Sequence, residues 1–147
     1  MPAHILLVNG PNLNMLGARQ PELYGSETLP QIEAKCKATA KGLKLELTCF
    51  QSNHEGEIVD SIQQAAKKYQ GLIINPGAYS HTSIAIMDAL LNVPFPIIEV
   101  HLSNIFKREE FRHESYVSRV ASGIICGLGS QGYLLALQAI AELVKKK

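Results

Sequence analysis

Apolar and polar residues alternate along this chain in two different rhythms. Short apolar runs, HILLV at 4–8, LKLELTCF at 43–50, GLIIN at 71–75, PIIEV at 96–100 and GIICG at 123–127, have the length and β-branched content of buried strands. Between them, residues 28–41, 56–69 and 80–91 space their apolar positions by three and four, and residues 130–145 close the chain likewise. Four amphipathic helices are predicted. Thr28 ahead of Pro30 reads as the start of the first helix, and Gly42 and Gly71 as the residues that follow the first and second. Ser80 is placed to cap the third, which Pro94 and Pro96 stop.

Strand and helix therefore alternate as expected for a parallel sheet whose crossovers cover both faces. The fold class implied is α/β: a flavodoxin-like three-layer sandwich with a five-stranded parallel sheet of order 2-1-3-4-5. All 147 residues are assigned to one domain, because no repeat, low-complexity tract or linker interrupts the pattern. Open parallel sheets bind ligands beyond the carboxyl ends of their strands, close to where strand order reverses. Here that point lies between the first and third strands.

The loops at that edge are unusually polar. NGPNLNMLGARQPELYG (9–25), NPGAYSHTS (75–83) and EVHLSNIFKREEFRHES (99–115) supply Asn12, Arg19, Tyr24, Asn75, His81, Glu99, His101, Ser103, Asn104 and Arg112. Glu99 and His101 are two apart on a strand, so they share a face and lie roughly 6.5 Å apart along it. A carboxylate bonded to one imidazole nitrogen fixes the tautomer and prepares the other nitrogen as an acid or base. A histidine that merely satisfies a buried Glu is an equal reading of the pair alone. In HLSN, the backbone N–H groups of Leu102 and Ser103 could take a carboxylate, or could simply begin a helix. Gly77 would let the backbone approach a ligand closely.

Composition narrows the classes further. A net charge of +1 creates no field for nucleic acid or anionic membrane, and no apolar run nears the roughly 18 residues of a bilayer span. Cys36, Cys49 and Cys126 lack a CxxC spacing and read as free thiols of a reducing, cytoplasmic compartment. His4 and His113 have no partner at metal-ligand spacing, and His54 lies at a strand-to-helix turn where a structural hydrogen bond is the expected role, so no metal is assigned. Nucleotide, dinucleotide and serine-hydrolase motifs have no match. Asp88 interrupts an apolar helix bearing Ile84, Ile86, Met87, Leu90 and Leu91, more apolar surface than one buried stripe requires, which points to a subunit interface.

These loops, together with SNHEGEIVDSI (52–62) and GLGSQGYLLAL (127–137), closely resemble the type II 3-dehydroquinate dehydratases over nearly the whole chain. Gln20 and Phe106 stand where that family often has Glu and His. The resemblance implies reversible dehydration of 3-dehydroquinate to 3-dehydroshikimate, in the shikimate route to aromatic compounds. It implies anti elimination through an enolate with no cofactor, metal or Schiff base. By the same resemblance Tyr24 removes the proton beside the ketone, and His101, oriented by Glu99, protonates the departing hydroxyl. Arg19 would favour the Tyr24 phenolate, since an ordinary tyrosine titrates at about 10. Asn12 would hold a water near the enolate oxygen. Asn75, Gly77, His81 and Arg112 would bind the substrate body, and the backbone of Leu102 and Ser103 its carboxylate. Asp88 would reach a neighbouring subunit's site within a homo-oligomer, a dodecamer built as a tetramer of trimers. The fold pattern alone also admits a flavin-binding module or a phospho-acceptor receiver, and the same enzyme chemistry could serve another polyhydroxy cyclic acid. A receiver needs acidic residues where this chain has Asn and Gly, and a flavin site wants Ser/Thr-rich phosphate turns that the first loop lacks.

Overall fold

The structure, a computed structural model, describes residues 2–18 and 21–145, without the side chains of Leu23 and Tyr24. In chain order the main elements are β1 (Ala3–Asn9), α1 (Pro21–Tyr24), α2 (Leu29–Gly42), β2 (Leu45–Gln51) and α3 (Glu55–Ala65). They continue with β3 (Gly71–Asn75), α4 (Ile84–Leu91), β4 (Ile97–His101), β5 (Gly123–Cys126) and α5 (Gln131–Lys145). The strands form one parallel sheet in the order β2-β1-β3-β4-β5, as the sequence pattern implied.

Strand alternation divides the core in two. Ile5, Leu7, Ile73, Ile98 and Val100 face α2 and α5, where they meet Ile32, Cys36, Leu137 and Ile140. Leu6, Val8, Leu72, Ile74 and Ile97 point the other way, against Ile58 and Ile62 of α3 and Ile86 and Leu90 of α4. Both faces of the central strands are thus covered, which explains why their sequences are almost uniformly apolar. Each fully buried Ile or Leu contributes about 2 kcal/mol of transfer free energy. Burial also pushes the thiols up, Cys36 to about 12 and Cys49 to about 11, so both stay protonated and unreactive. No described helix is long and apolar enough to cross a membrane.

Helix ends follow the sequence signals unevenly. Thr28 caps α2 through a reciprocal pair of bonds with Gln31. The expected stop at Gly42 is displaced: Gly42 remains helical, and the left-handed residue is Lys44, with φ of 61°. Helix α3 starts at Glu55 and ends at Ala65, earlier than Tyr69, and closes with turns that include a Tyr69 N–H bond to the Ala65 carbonyl. Gly71 belongs to β3, where the Ile5 and Ile140 side chains come within 2.8 Å of any added Cβ. The third predicted helix begins later than residue 80. Gly77–His81 forms a 3-10 turn, and Ser83, not Ser80, caps α4 by accepting the Ile86 N–H at 2.9 Å. Ser80 instead donates back to the Gly77 carbonyl at 2.9 Å. A 3-10 turn also repeats every three residues, which explains why the helical rhythm starts early.

One close approach positions the functional edge. The Gly10 N–H donates to the Asn75 carbonyl at 2.8 Å, and a Cβ at Gly10 would sit 2.4 Å from the Pro76 carbonyl oxygen. The loops leaving β1 and β3 are therefore pressed together where the strand order reverses.

Candidate active site

Three loops line one pocket at the carboxyl edge of the sheet. The loop after β1 contributes Pro11 and Asn12, and the segment after β3 contributes Asn75, Gly77, Ala78 and His81. The end of β4 and its loop add His101, Leu102, Ser103, Arg108 and Arg112. Asn12 adopts a left-handed conformation with φ of 70°, and its side chain is exposed and uncommitted to any bond among the described residues. Gly77, also left-handed with φ of 59°, leaves only 3.1 Å between an added Cβ and the Pro11 carbonyl oxygen. Asn104 serves a local purpose, its side chain accepting the Phe106 N–H at 3.0 Å to open a 3-10 turn.

Glu99 and His101 meet as their spacing implies. His101 Nε2 lies 2.5 Å from Glu99 Oε2, with both side chains buried. The carboxylate can only accept, so the bonded nitrogen carries the proton and Nδ1 is the nitrogen left for a ligand. Two hydroxyls complete the carboxylate's partners: Ser115 Oγ donates to Oε2 at 2.7 Å and Ser118 Oγ to Oε1 at 2.5 Å. Burial pushes the Glu99 carboxyl up, but the bonds from His101, Ser118 and Ser115 together outweigh it and hold the group below the usual carboxylate range.

His81 is held neutral in a different way. Its Nδ1 donates to the Glu114 carbonyl at 2.7 Å, which leaves Nε2 as an acceptor for a ligand hydroxyl. Burial is the largest cause of its depressed basicity, partly opposed by that carbonyl bond. Both shifts have the same sign for stability. An unfolded chain takes up a proton at His81 below about pH 6.5 and at Glu99 below about pH 4.3, in each case before the folded protein does. Stability is then fully present above those values and falls as the pH drops through each. Urea unfolding at pH 7.5, 5.5 and 4 is expected to show a progressive decline, the lower step shrinking in Glu99→Gln. A flat or rising stability from pH 7.5 to 5.5 would contradict this.

At the end of β4 the ladder opens. The amides of Gly127 and Gly129 donate to the carbonyls of His101 and Leu102 at 3.2 and 2.9 Å. Among the described residues, the N–H groups of Leu102 and Ser103 have no protein acceptor, so two adjacent donors are available for an anion. Arg112 stands beside them with its Nε 3.0 Å from Glu109 Oε1, and Arg108 Nε approaches the same oxygen at 3.8 Å. Glu109, exposed, is held below the usual carboxylate range, first by a bond to its own backbone and then by these arginines.

Not every expected residue joins this pocket. Asp88 is exposed on α4 and does not line the pocket of its own chain. The apolar surplus on α4 is also smaller than the sequence implied, because Ile86 and Leu90 are buried in the core. Ile84 at 52% exposure and Leu91 at 61% remain, on the same helical face as Asp88. Arg19 and the side chain of Tyr24 lie outside the described residues. Sequence reading missed Arg108, although the cationic FKRE run on this loop pointed to it, and it missed Ser115 and Ser118, whose role needs the chain to fold back over Glu99. Among the described residues no group of three His, Cys, Asp or Glu could hold a metal ion.

Residues 3–141 match the family model described as dehydroquinase class II. The chain is 57% identical over 146 residues to the catabolic 3-dehydroquinase 1 of Aspergillus terreus, covering 99% of this chain and 96% of that protein. It is 55% identical over 144 residues to the 3-dehydroquinate dehydratase of Prochlorococcus marinus, covering 98% and 99% respectively. Its fold superposes on the crystal structure of type II dehydroquinase from Propionibacterium acnes with a TM-score of 0.93 at 45% identity, covering 97% of this chain and 98% of that one.

Proposed function

Because this chain belongs to the class II dehydroquinase family, we propose that it catalyses the reversible dehydration of 3-dehydroquinate to 3-dehydroshikimate. The observation that carries the reading is the buried Glu99–His101 pair with one imidazole nitrogen left for a ligand, at a pocket edged by two unpaired backbone donors. An acid is needed to release hydroxide as water, and a paired donor set is needed to hold a carboxylate. Both are at one sheet edge.

In this reading Tyr24 removes the proton on the carbon beside the ketone, and the electron pair moves to the carbonyl oxygen as an enolate. Collapse of the enolate expels the hydroxyl, which takes its proton from His101. Arg19 stabilises the Tyr24 phenolate, and Asn12 holds a water as a fixed donor toward the enolate oxygen. The uncommitted side chain of Asn12 supports that role. Asn75, Gly77 and His81 bind the substrate body with Arg112, His81 through its accepting Nε2. The amides of Leu102 and Ser103 take the carboxylate.

Among the described residues no lysine lines the pocket, which favours an enolate over an imine route. Growth of the product's near-ultraviolet enone absorbance tests the reaction, and borohydride tests the route. Activity should persist after incubation with substrate and borohydride. Inactivation with a reduced adduct on a lysine would overturn the enolate assignment.

Asp88 completes a neighbour's site in this reading, within a dodecamer assembled as a tetramer of trimers. Its placement between exposed Ile84 and Leu91 supports an interface on that helix face. Leu91→Glu is expected to reduce the mass measured by sedimentation and to lower activity in parallel. Full activity from a monomer would contradict the role given to Asp88.

A further inference from the structure

Asn9 and Asn75 end the neighbouring strands β1 and β3, are directly paired in register, and are both buried. Strand alternation places their side chains on the α5 side of the sheet, in step with Ile5, Leu7 and Ile73. Tyr133, in the first turn of α5 and 1% exposed, inserts its hydroxyl between them. The bonds run in one direction. The Gly77 N–H donates to Asn75 Oδ1 at 3.1 Å, which assigns the amide oxygen, because a backbone N–H cannot accept. Asn75 Nδ2 therefore donates to Tyr133 Oη at 2.9 Å, and Tyr133 Oη donates to Asn9 Oδ1 at 2.5 Å. Burial pushes the phenol above its ordinary value, so Tyr133 stays protonated and must donate onward.

The far end of this relay is costly. Asn9 Nδ2 is buried with no hydrogen-bond partner among the described residues. An orphaned buried donor is destabilising, and an apolar residue would avoid it. What the relay does accomplish is to fix the orientation of Asn75, the one member that lines the pocket.

We propose that Tyr133 and Asn9 are positioning residues that hold the Asn75 amide with its oxygen toward Gly77 and its remaining N–H available to a substrate hydroxyl. This rests on the dehydratase reading. Without the phenol, Asn75 could rotate or flip, and its contact with the substrate would be lost in the ground and transition states alike. Loss of that kind raises KM and leaves kcat nearly unchanged.

The test is a double-mutant cycle on the intact protein with 3-dehydroquinate, monitored by enone absorbance. Tyr133→Phe is expected to raise KM about tenfold, the equivalent of one lost hydrogen bond, with kcat within about threefold. In an Asn75→Ala background the same substitution should have no further effect on KM, because its only route to the substrate is gone. Asn9→Ala, which removes the last acceptor and the orphan together, should raise KM in the same direction by a smaller factor, again only when Asn75 is present. It also decides the matter if Tyr133→Phe does not fold. An unchanged KM in the folded variants, or an equal rise in both backgrounds, overturns the proposal while leaving the reaction assigned. Absence of product from the wild-type protein overturns the dehydratase reading, and this inference with it.

Discussion

Replacing His101 with Asn is expected to lower kcat about 10²–10⁴-fold, the usual contribution of a positioned general acid. The side chain is buried against Glu99, which is itself held by Ser115 and Ser118, so the imidazole has one rotational setting and one nitrogen to offer. Asn is shorter than the imidazole, so its amide does not reach Glu99 as Nε2 does, and it cannot deliver a proton to a leaving hydroxyl. Substrate binding should change far less than turnover, because the carboxylate and hydroxyl contacts come from other residues. A kcat within a few-fold of the wild type would exclude His101 as the acid. The Glu99 carboxylate adds a second arm, since Glu99→Gln leaves a neutral partner whose amide can present a donor to the ring. Turnover there should fall less steeply than in His101→Asn.

The second large effect concerns Arg19. Tyr24 can act as a base near neutrality only if its phenolate is stabilised, because an ordinary tyrosine at about pKa 10 is almost wholly protonated there. In the proposed mechanism a guanidinium five residues earlier on the same loop supplies that stabilisation and also meets the negative charge that develops on the enolate. Arg19→Ala should therefore reduce kcat by about 10²-fold or more, the scale of one lost electrostatic stabiliser. Binding of a ground-state analogue should weaken much less. Equal losses in turnover and in analogue binding would count against the assignment. The pH profile is a further readout: without Arg19, the acidic limb, along which the rate rises as the Tyr24 phenolate forms, should move to higher pH.

The parallel sheet and its strand order were legible because the central strands are buried on both faces and carry little but Leu, Ile and Val. Glu99 and His101 were legible for a geometric reason, the two-residue period of a strand. Helix starts were less so. Ser80 and Ser83 both suit a cap, and only the 3-10 turn of Gly77–His81 decides between them by turning Ser80 back on Gly77. The apolar content of α4 suggested a wider exposed apolar face than the fold leaves, because a short helix packed on the sheet beside α3 buries Ile86 and Leu90 as core. Partners remote in sequence could not be read at all. Tyr133 and Asn9 are separated by 124 positions, and Ser118 follows Glu99 by 19 through irregular chain. Nothing in local spacing brings such groups together; strand register and the docking of α5 do.

In the proposed reaction this edge of the sheet removes water from 3-dehydroquinate by paired acid and base chemistry. The decisive measurement adds 3-dehydroquinate to purified wild-type protein and to Tyr24→Phe, and follows the conjugated enone in the near ultraviolet. Saturable product formation by the wild type is expected, with a rate lower by about 10²–10⁴-fold in the variant. Folded, oligomeric wild-type protein that produces no enone, or a Tyr24→Phe variant as fast as the wild type, would contradict it.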